Sequence, residues 1–232
     1  MRVAACQTPE ILGDVDAAVG VVLDFASQAP DADLLLFPEC FLQGYLVTDQ
    51  HVREHALEPA EVLDRLGAVR PMLVLGIIER SGDRFHNTAL VIAGGRLLGA
   101  YRKRFLTAGE SVFTAGDSAP VFDCAGVRFG INICYDAQFP EAAAAVAAGG
   151  AQVLLLPAQN MMPRDKALWW QDRHNEIRRR RVQETGMWLI SADVTGNRDD
   201  RLALGPTCAI NPAGQVVARV PPGTIGMAVA DI

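Results

Sequence analysis

No run in this 232-residue chain reaches the roughly 18 consecutive apolar residues of a membrane span, so no membrane partner is expected. The start, Met1-Arg2-Val3-Ala4-Ala5-Cys6, reads as a strand and not as a signal peptide. Cysteines are few. Cys6, Cys40, Cys124, Cys134 and Cys208 are odd in number, widely spaced and without a CxxC pair. That excludes a disulfide framework and a zinc site, and it fits a reduced, cytoplasmic setting. Among the four histidines no HxxxH pair has an acidic partner at metal spacing; His51 and His55, four apart, are expected on a solvated surface segment. Basic charge is not in excess, with 21 Lys and Arg against 27 Asp and Glu, and the net charge of -6 argues against nucleic acid as a general partner. The run Arg178 to Arg181 does not reverse this. On a helix its four side chains point in four directions, with Asp172, Glu176 and Glu184 in reach as ion-pair partners. Linkers and low-complexity breaks are also missing, so residues 1–232 are expected to form one α/β domain.

What is present is a regular alternation of apolar runs and helical patterns. Half of the residues are hydrophobic, enough for a substantial core. Residues 2–8 read as a buried strand, and Asp14 can cap a helix that stops at Pro30. Leu34 to Phe37, after Asp33, and Met72 to Ile78 are apolar throughout, as interior strands covered on both faces are. Between them lie the Gln43-Gly44-Tyr45 loop, a polar segment and a helix over Glu58 to Leu66. Hairpins are expected around Gly94-Gly95, Ala125-Gly126 and Pro212-Ala213-Gly214. Gln152 to Pro157 repeats the strand-then-proline pattern of Leu34 to Pro38. One long helix is predicted from about Arg164 to Thr185, stopped by Gly186, followed by strands at Met187 to Ala192 and Ile225 to Ala230.

Three polar residues stand just beyond apolar strands: Glu39, Lys103 and Cys134. Val127, Phe129, Ile131 and Ile133 alternate along one strand face, and Phe139-Pro140-Glu141 opens an Ala-rich helix. Cys134 therefore falls at a strand-to-helix switch near the positive end of a helix dipole, where a thiol can serve as a nucleophile. Taken alone it would more often be a small core residue.

Leu-Phe-Pro-Glu-Cys-Phe-Leu-Gln-Gly-Tyr, Tyr-Arg-Lys-Arg-Phe-Leu and Asn-Ile-Cys-Tyr-Asp-Ala-Gln-Phe-Pro-Glu resemble, in order, the three signature segments of the nitrilase superfamily, the carbon–nitrogen hydrolases. The likeness extends to Ala5-Cys6-Gln7, Phe113 to Asp117, Gly205-Pro206-Thr207 and Asn211 to Gly214. It implies a Glu-Lys-Cys triad. Glu39 would be general base and acid, Lys103 the cation near the developing oxyanion and Cys134 the nucleophile, with Glu110 positioning the lysine. Tyr45, Tyr135 and Asn160 would contribute to the substrate pocket. The family often has His two residues after the lysine, where this chain has Phe105. The implied reaction is hydrolysis of a small linear amide to an acid and ammonia through a thioester, with no metal or organic cofactor. The omega-amidase branch and N-carbamoyl amidohydrolases are alternatives within it. A catalytically silent binding homologue, or a thiol redox sensor pairing Cys40 with Cys134, are alternatives outside it. The implied fold is a four-layer α-β-β-α sandwich formed when two subunits pack their α-β halves, in a homodimer or a higher homo-oligomer.

The chemistry sets a condition on the site. A free thiol titrates near 8.5 and a free glutamate near 4.3, so moving the proton from Cys134 to Glu39 would cost roughly 5 to 6 kcal/mol. Burial of Glu39, with Lys103 and a helix dipole acting on the thiol, is expected to narrow that gap.

Overall fold

In the computed structural model, which describes residues 1–232, the strand Leu34-Leu35-Leu36 shows why its sequence is apolar throughout. Leu34 and Leu36 enter one hydrophobic cluster and Leu35 another, because successive side chains of a strand leave opposite faces. The first strands are β1 (Arg2–Pro9), β2 (Leu34–Leu36), β3 (Met72–Ser81), β4 (Arg84–Ala93) and β5 (Arg96–Arg102). There follow β6 (Val121–Cys124), β7 (Val127–Ile131), β8 (Val153–Pro157), β9 (Met162–Pro163) and β10 (Trp188–Ala192). The last are β11 (Val194–Arg198), β12 (Arg201–Leu204), β13 (Cys208–Ile210), β14 (Val216–Arg219) and β15 (Gly226–Asp231). The helices are α1 (Val15–Gln28), α2 (Asp49–His55), α3 (Pro59–Leu66), α4 (Pro140–Ala148), α5 (Arg164–Trp170) and α6 (Arg173–Thr185).

The strands form two sheets. One runs β5-β4-β3-β2-β1-β11-β12-β9, with β15 also paired to β1; the other runs β14-β13-β10-β8-β7-β6. Val3, Leu34, Leu36, Val74 and Val91 of the first sheet meet Phe129, Ile131, Val153, Leu155 and Ile190 of the second in a shared core. The outer face of the first sheet is covered by Val22 and Phe25 of α1 and Val62 and Leu66 of α3. On the second sheet the covering residues are Ala143 and Val146 of α4 and Val182 of α6. All four layers thus come from one polypeptide. This corrects the expectation that two subunits are needed to complete the sandwich: each chain brings both sheets, so its inner faces cover each other.

Local signals account for most boundaries. Asp14 accepts the Ala17 N–H at 2.9 Å and starts α1, and Gly186 ends α6 at φ +70°, a left-handed position that glycine takes without strain. Three expectations need correction. The helix predicted over Arg164 to Thr185 breaks at Gln171-Asp172 into α5 and α6, with Asp172 at the N-cap. His51 is not solvated: Thr48 caps the short α2, and the His51 ring is buried with Nε2 3.1 Å from the Gln43 carbonyl. In the arginine run, Arg178 and Arg181 are buried, and only Arg181 finds an expected partner, Glu184 at 2.8 Å. Arg178 instead reaches the Pro206 carbonyl at 2.7 Å and Asp193 at 3.8 Å, and neither Asp172 nor Glu176 pairs with the run. No helix is long and apolar enough to cross a membrane.

Strands β1, β2 and β3 are mutually parallel, as are β7, β8 and β10. Carboxyl ends of parallel strands are where an α/β protein places its polar, reactive residues, because the chain leaves the sheet there in loops free of ladder constraints. Glu39, Cys134, Asn160 and Asp193 all follow such ends.

Candidate active site

Glu39 leaves the end of β2 through Pro38 and is 1% exposed. Its backbone can lie against β3 only because position 76 is glycine: a Cβ there would come within 2.1 Å of the Pro38 carbonyl oxygen. Lys103, also 1% exposed, follows β5, and its N–H bonds the Asn87 carbonyl of β4 at 2.8 Å. Glu110 closes a 3-10 turn at Ala108–Glu110 whose first N–H, from Thr107, it accepts at 2.8 Å. These three side chains meet. The Lys103 ammonium donates to Glu39 Oε1 at 2.7 Å and to Glu110 Oε1 at 2.8 Å. Asn87 Nδ2 donates to the same two oxygens at 2.7 and 3.0 Å. Glu39 Oε2 is buried and has no hydrogen-bond partner.

Cys134 opens a second 3-10 turn, Cys134–Gln138, at φ +44°. A non-glycine residue in the left-handed region is strained and marks a chain held in place by its surroundings. The Ala-rich α4 begins only at Pro140, so the helix dipole expected at the thiol is replaced by that of a single short turn. The backbone N–H of Gln159, from the loop after β8, lies near enough to the sulfur to favour its ionised form. Gln159 is held in turn by Glu10 at 2.9 Å, and the Asn160 N–H by Asp193 at 3.0 Å.

Glu39, Lys103 and Cys134 line one cavity of about 560 Å³. Tyr45, Tyr135 and Asn160 stand in its wall; Glu110 lies behind Lys103. The Tyr45 ring centre is 5.9 Å from the Lys103 ammonium. Tyr135 is partly exposed and packs edge-on to Phe139. Asn160 Nδ2 donates to Asp193, so this amide is partly committed to the wall. Phe105, in place of the family histidine, stacks on Phe139 with ring centres 4.0 Å apart. All five cysteines are free, and Cys40 is fully buried with its thiol directed to the Ile77 carbonyl.

Charge states follow from these contacts. Burial raises the Glu39 carboxyl and outweighs the opposing Lys103 ammonium, while the Glu110 charge pushes it further up. Burial would raise Glu110 too, but Lys103, the Thr107 N–H and Asn87 together hold it below its ordinary value. Lys103 loses hydration, yet Glu39, Cys134 and Glu110 keep it firmly protonated. The Cys134 thiol is pushed up by burial and by Glu39, against the pull of Lys103 and the Gln159 N–H. The expected lowering of the thiol therefore does not occur. At neutral pH the arrangement holds an ammonium between two glutamates beside a protonated thiol. It is suited to moving the thiol proton as a bond forms at sulfur, not to storing a thiolate.

Several participants were not anticipated. Asn87 bridges both glutamates, and Gly76 admits the Glu39 backbone. The β11–β12 hairpin brings Arg201 to the cavity, and α6 brings His174, which burial and the neighbouring Arg178 push down to about 3 and so keep neutral. Asn87 left no distinctive signal, since it stands between His86 and Thr88 in the polar first half of β4.

The carbon-nitrogen hydrolase family model matches residues 2–232. An (R)-stereoselective amidase from a Pseudomonas species is 32% identical over 198 residues, covering 83% of this chain and 70% of that protein. The omega-amidase NIT2 of Homo sapiens is 28% identical over 226 residues, or 89% of this chain and 78% of that protein. Among solved structures, an amidase from Nesterenkonia sp. AN1 is similar with a TM-score of 0.89 and 25% identity, over 100% of this chain and 93% of that one. In that structure acrylamide has added to the active-site cysteine by Michael addition. Family match, shared fold and amidase relatives together place the chain in the carbon–nitrogen hydrolase family, on the amidase-like branch of the nitrilase superfamily, as a carbon–nitrogen hydrolase.

Proposed function

We propose that the protein hydrolyses a small linear amide, with Cys134 as nucleophile, Glu39 as general base and acid, and Lys103 as the cation beside the developing oxyanion. The observation that carries this reading is the asymmetry of Glu39: Oε1 is held by Lys103 and Asn87, while Oε2 is buried and unpartnered on the same cavity as the thiol. In the proposed reaction the Cys134 sulfur attacks the amide carbon as Glu39 takes its proton, and the carbonyl electrons move to oxygen near Lys103. Collapse breaks the C–N bond, and Glu39 returns the proton to the departing nitrogen, leaving a thioester and ammonia. Water, deprotonated by Glu39, then attacks the thioester; the acid departs and the thiol is restored. Because burial raises both Glu39 and Cys134, proton transfer is concerted with attack.

A screen for ammonia release over aliphatic amides, omega-amides, carbamoyl compounds and nitriles tests this, with Cys134→Ala as the blank. Acid quenching followed by mass spectrometry is expected to trap an acyl group on Cys134. Turnover by Cys134→Ala at the wild-type rate would refute the scheme. The charge of the cavity favours a second reading, an amide whose acyl chain ends in a carboxylate. Glu39 is the only carboxylate in the lining, against Lys103, Lys166, Arg178 and Arg201, and Lys166 and Arg201 pair with no acid. Omega-amides turning over faster than uncharged amides of equal length would select it.

A further inference from the structure

A buried carboxylate that the proposed chemistry leaves unused lies two residues past Cys134. Asp136 is fully buried, and both of its oxygens are occupied. Oδ2 accepts the Ile133 N–H at 2.8 Å and the Tyr101 hydroxyl at 2.7 Å. Oδ1 accepts the backbone N–H of Phe105 at 2.8 Å and of Arg104 at 3.2 Å. A carboxylate has about four acceptor positions, so none remains for a substrate. Nor does Asp136 line the cavity.

The identity of its partners is informative. Ile133 immediately precedes Cys134, and Arg104 immediately follows Lys103. One side chain therefore clamps the turn that presents the sulfur to the strand end that presents the ammonium. The stacked rings of Phe105 and Phe139 close the same joint on its apolar side. The Ile133 bond also spans the turn in which Cys134 is held at φ +44°, a conformation that needs support from its surroundings.

We propose that Asp136 is a positioning residue whose carboxylate sets the placement of the Cys134 sulfur relative to the Lys103 ammonium. The role rests on the Glu39-Lys103-Cys134 chemistry proposed above. Asp136→Asn turns an amide NH2 toward one pair of donors and gives up the contacts of one oxygen. Active sites are counted by alkylation of Cys134 with iodoacetamide, located by mass spectrometry. Expected are a fall in kcat per titrated site of about 100-fold, as for a misplacement near 1 Å, and a KM within threefold of wild type. Alkylation of Cys134 should also require a higher pH, since Lys103 would be held less closely to the sulfur.

Tyr101→Phe removes one bond of the four and is expected to lower kcat per site between three- and tenfold. It carries the test alone if Asp136→Asn does not accumulate. A residue that only supports the fold would lower the melting temperature and the number of titratable sites. Unchanged kcat per site with an unchanged alkylation profile, or a loss carried by KM, would overturn the proposal. An inactive Cys134→Ala with either of those results removes only the role of Asp136, whereas an active Cys134→Ala removes the underlying chemistry.

Discussion

Gly76 offers a sharp test of how the site is held. It lies on β3 where Pro38-Glu39-Cys40 crosses, and the Leu42 N–H bonds its carbonyl at 3.2 Å. In Gly76→Ala the new Cβ would lie 2.1 Å from the Pro38 oxygen, 2.6 Å from the Cys40 nitrogen and 2.9 Å from the Glu39 carbonyl carbon. Ordinary contact is about 3.5 Å, so the crossing segment must retreat by roughly 1–1.5 Å. All three contacts are backbone, which cannot swing aside as a flexible side chain does. The 2.7 Å bonds that Lys103 and Asn87 make to Glu39 would lengthen beyond hydrogen-bonding range. We expect kcat to fall about 100-fold and stability to drop by about 1–3 kcal/mol. Initial rates of ammonia release and urea unfolding measure the two effects. Gly20→Ala is the matched control, since Gly20 lies inside α1 with nothing within 4 Å of its added Cβ. That variant should gain about 0.5–1 kcal/mol at an unchanged rate. A Gly76→Ala enzyme retaining kcat within threefold would show that the crossing does not place Glu39.

Two further substitutions probe the charges. Lys103→Met leaves Glu39 and Glu110 buried without their shared cation and should cost about 3–5 kcal/mol at neutral pH, besides abolishing turnover. Without the ammonium these carboxylates bind protons more tightly folded than unfolded, so the variant should regain stability as pH falls. Urea midpoints for both proteins at pH 5 and pH 8 measure this, and an equal deficit at both would contradict the argument. Glu110→Gln removes a charge that raises Glu39, so Glu39 should ionise more readily and serve as a weaker base. The acid limb of kcat/KM should move to lower pH and the plateau fall about tenfold; a limb that stays or rises would count against the coupling.

The pattern of apolar residues carried most of the fold. Leu34 to Leu36 and Val153 to Pro157 are apolar at every position because helices cover one face and the opposite sheet the other. Glu39, Lys103 and Cys134 each stand shortly after a strand but alone read as ordinary residues; they were legible because their three segments, taken in order, resemble the signatures of the nitrilase superfamily. What escaped depends on contacts remote in sequence. Gly76 looks like any strand glycine until the Pro38 backbone is laid across it, and Asp136 looks like a loop acid until Tyr101, Arg104 and Phe105 surround it. The break between α5 and α6 carried no clear local sign: Asp172 precedes α6 with helical backbone angles and no side-chain capping bond, among residues that all tolerate a helix. His51 was misplaced because the polar residues around it form the exposed side of a short helix whose other side is buried.

Both sheets, and every side chain proposed to take part in the reaction, belong to a single chain. Two defective copies, one lacking the carboxylate at position 39 and the other the sulfur at position 134, cannot lend each other the missing group in a mixed assembly. Co-expressing them should restore no activity, unlike the complementation seen when a site is stitched together from neighbouring subunits.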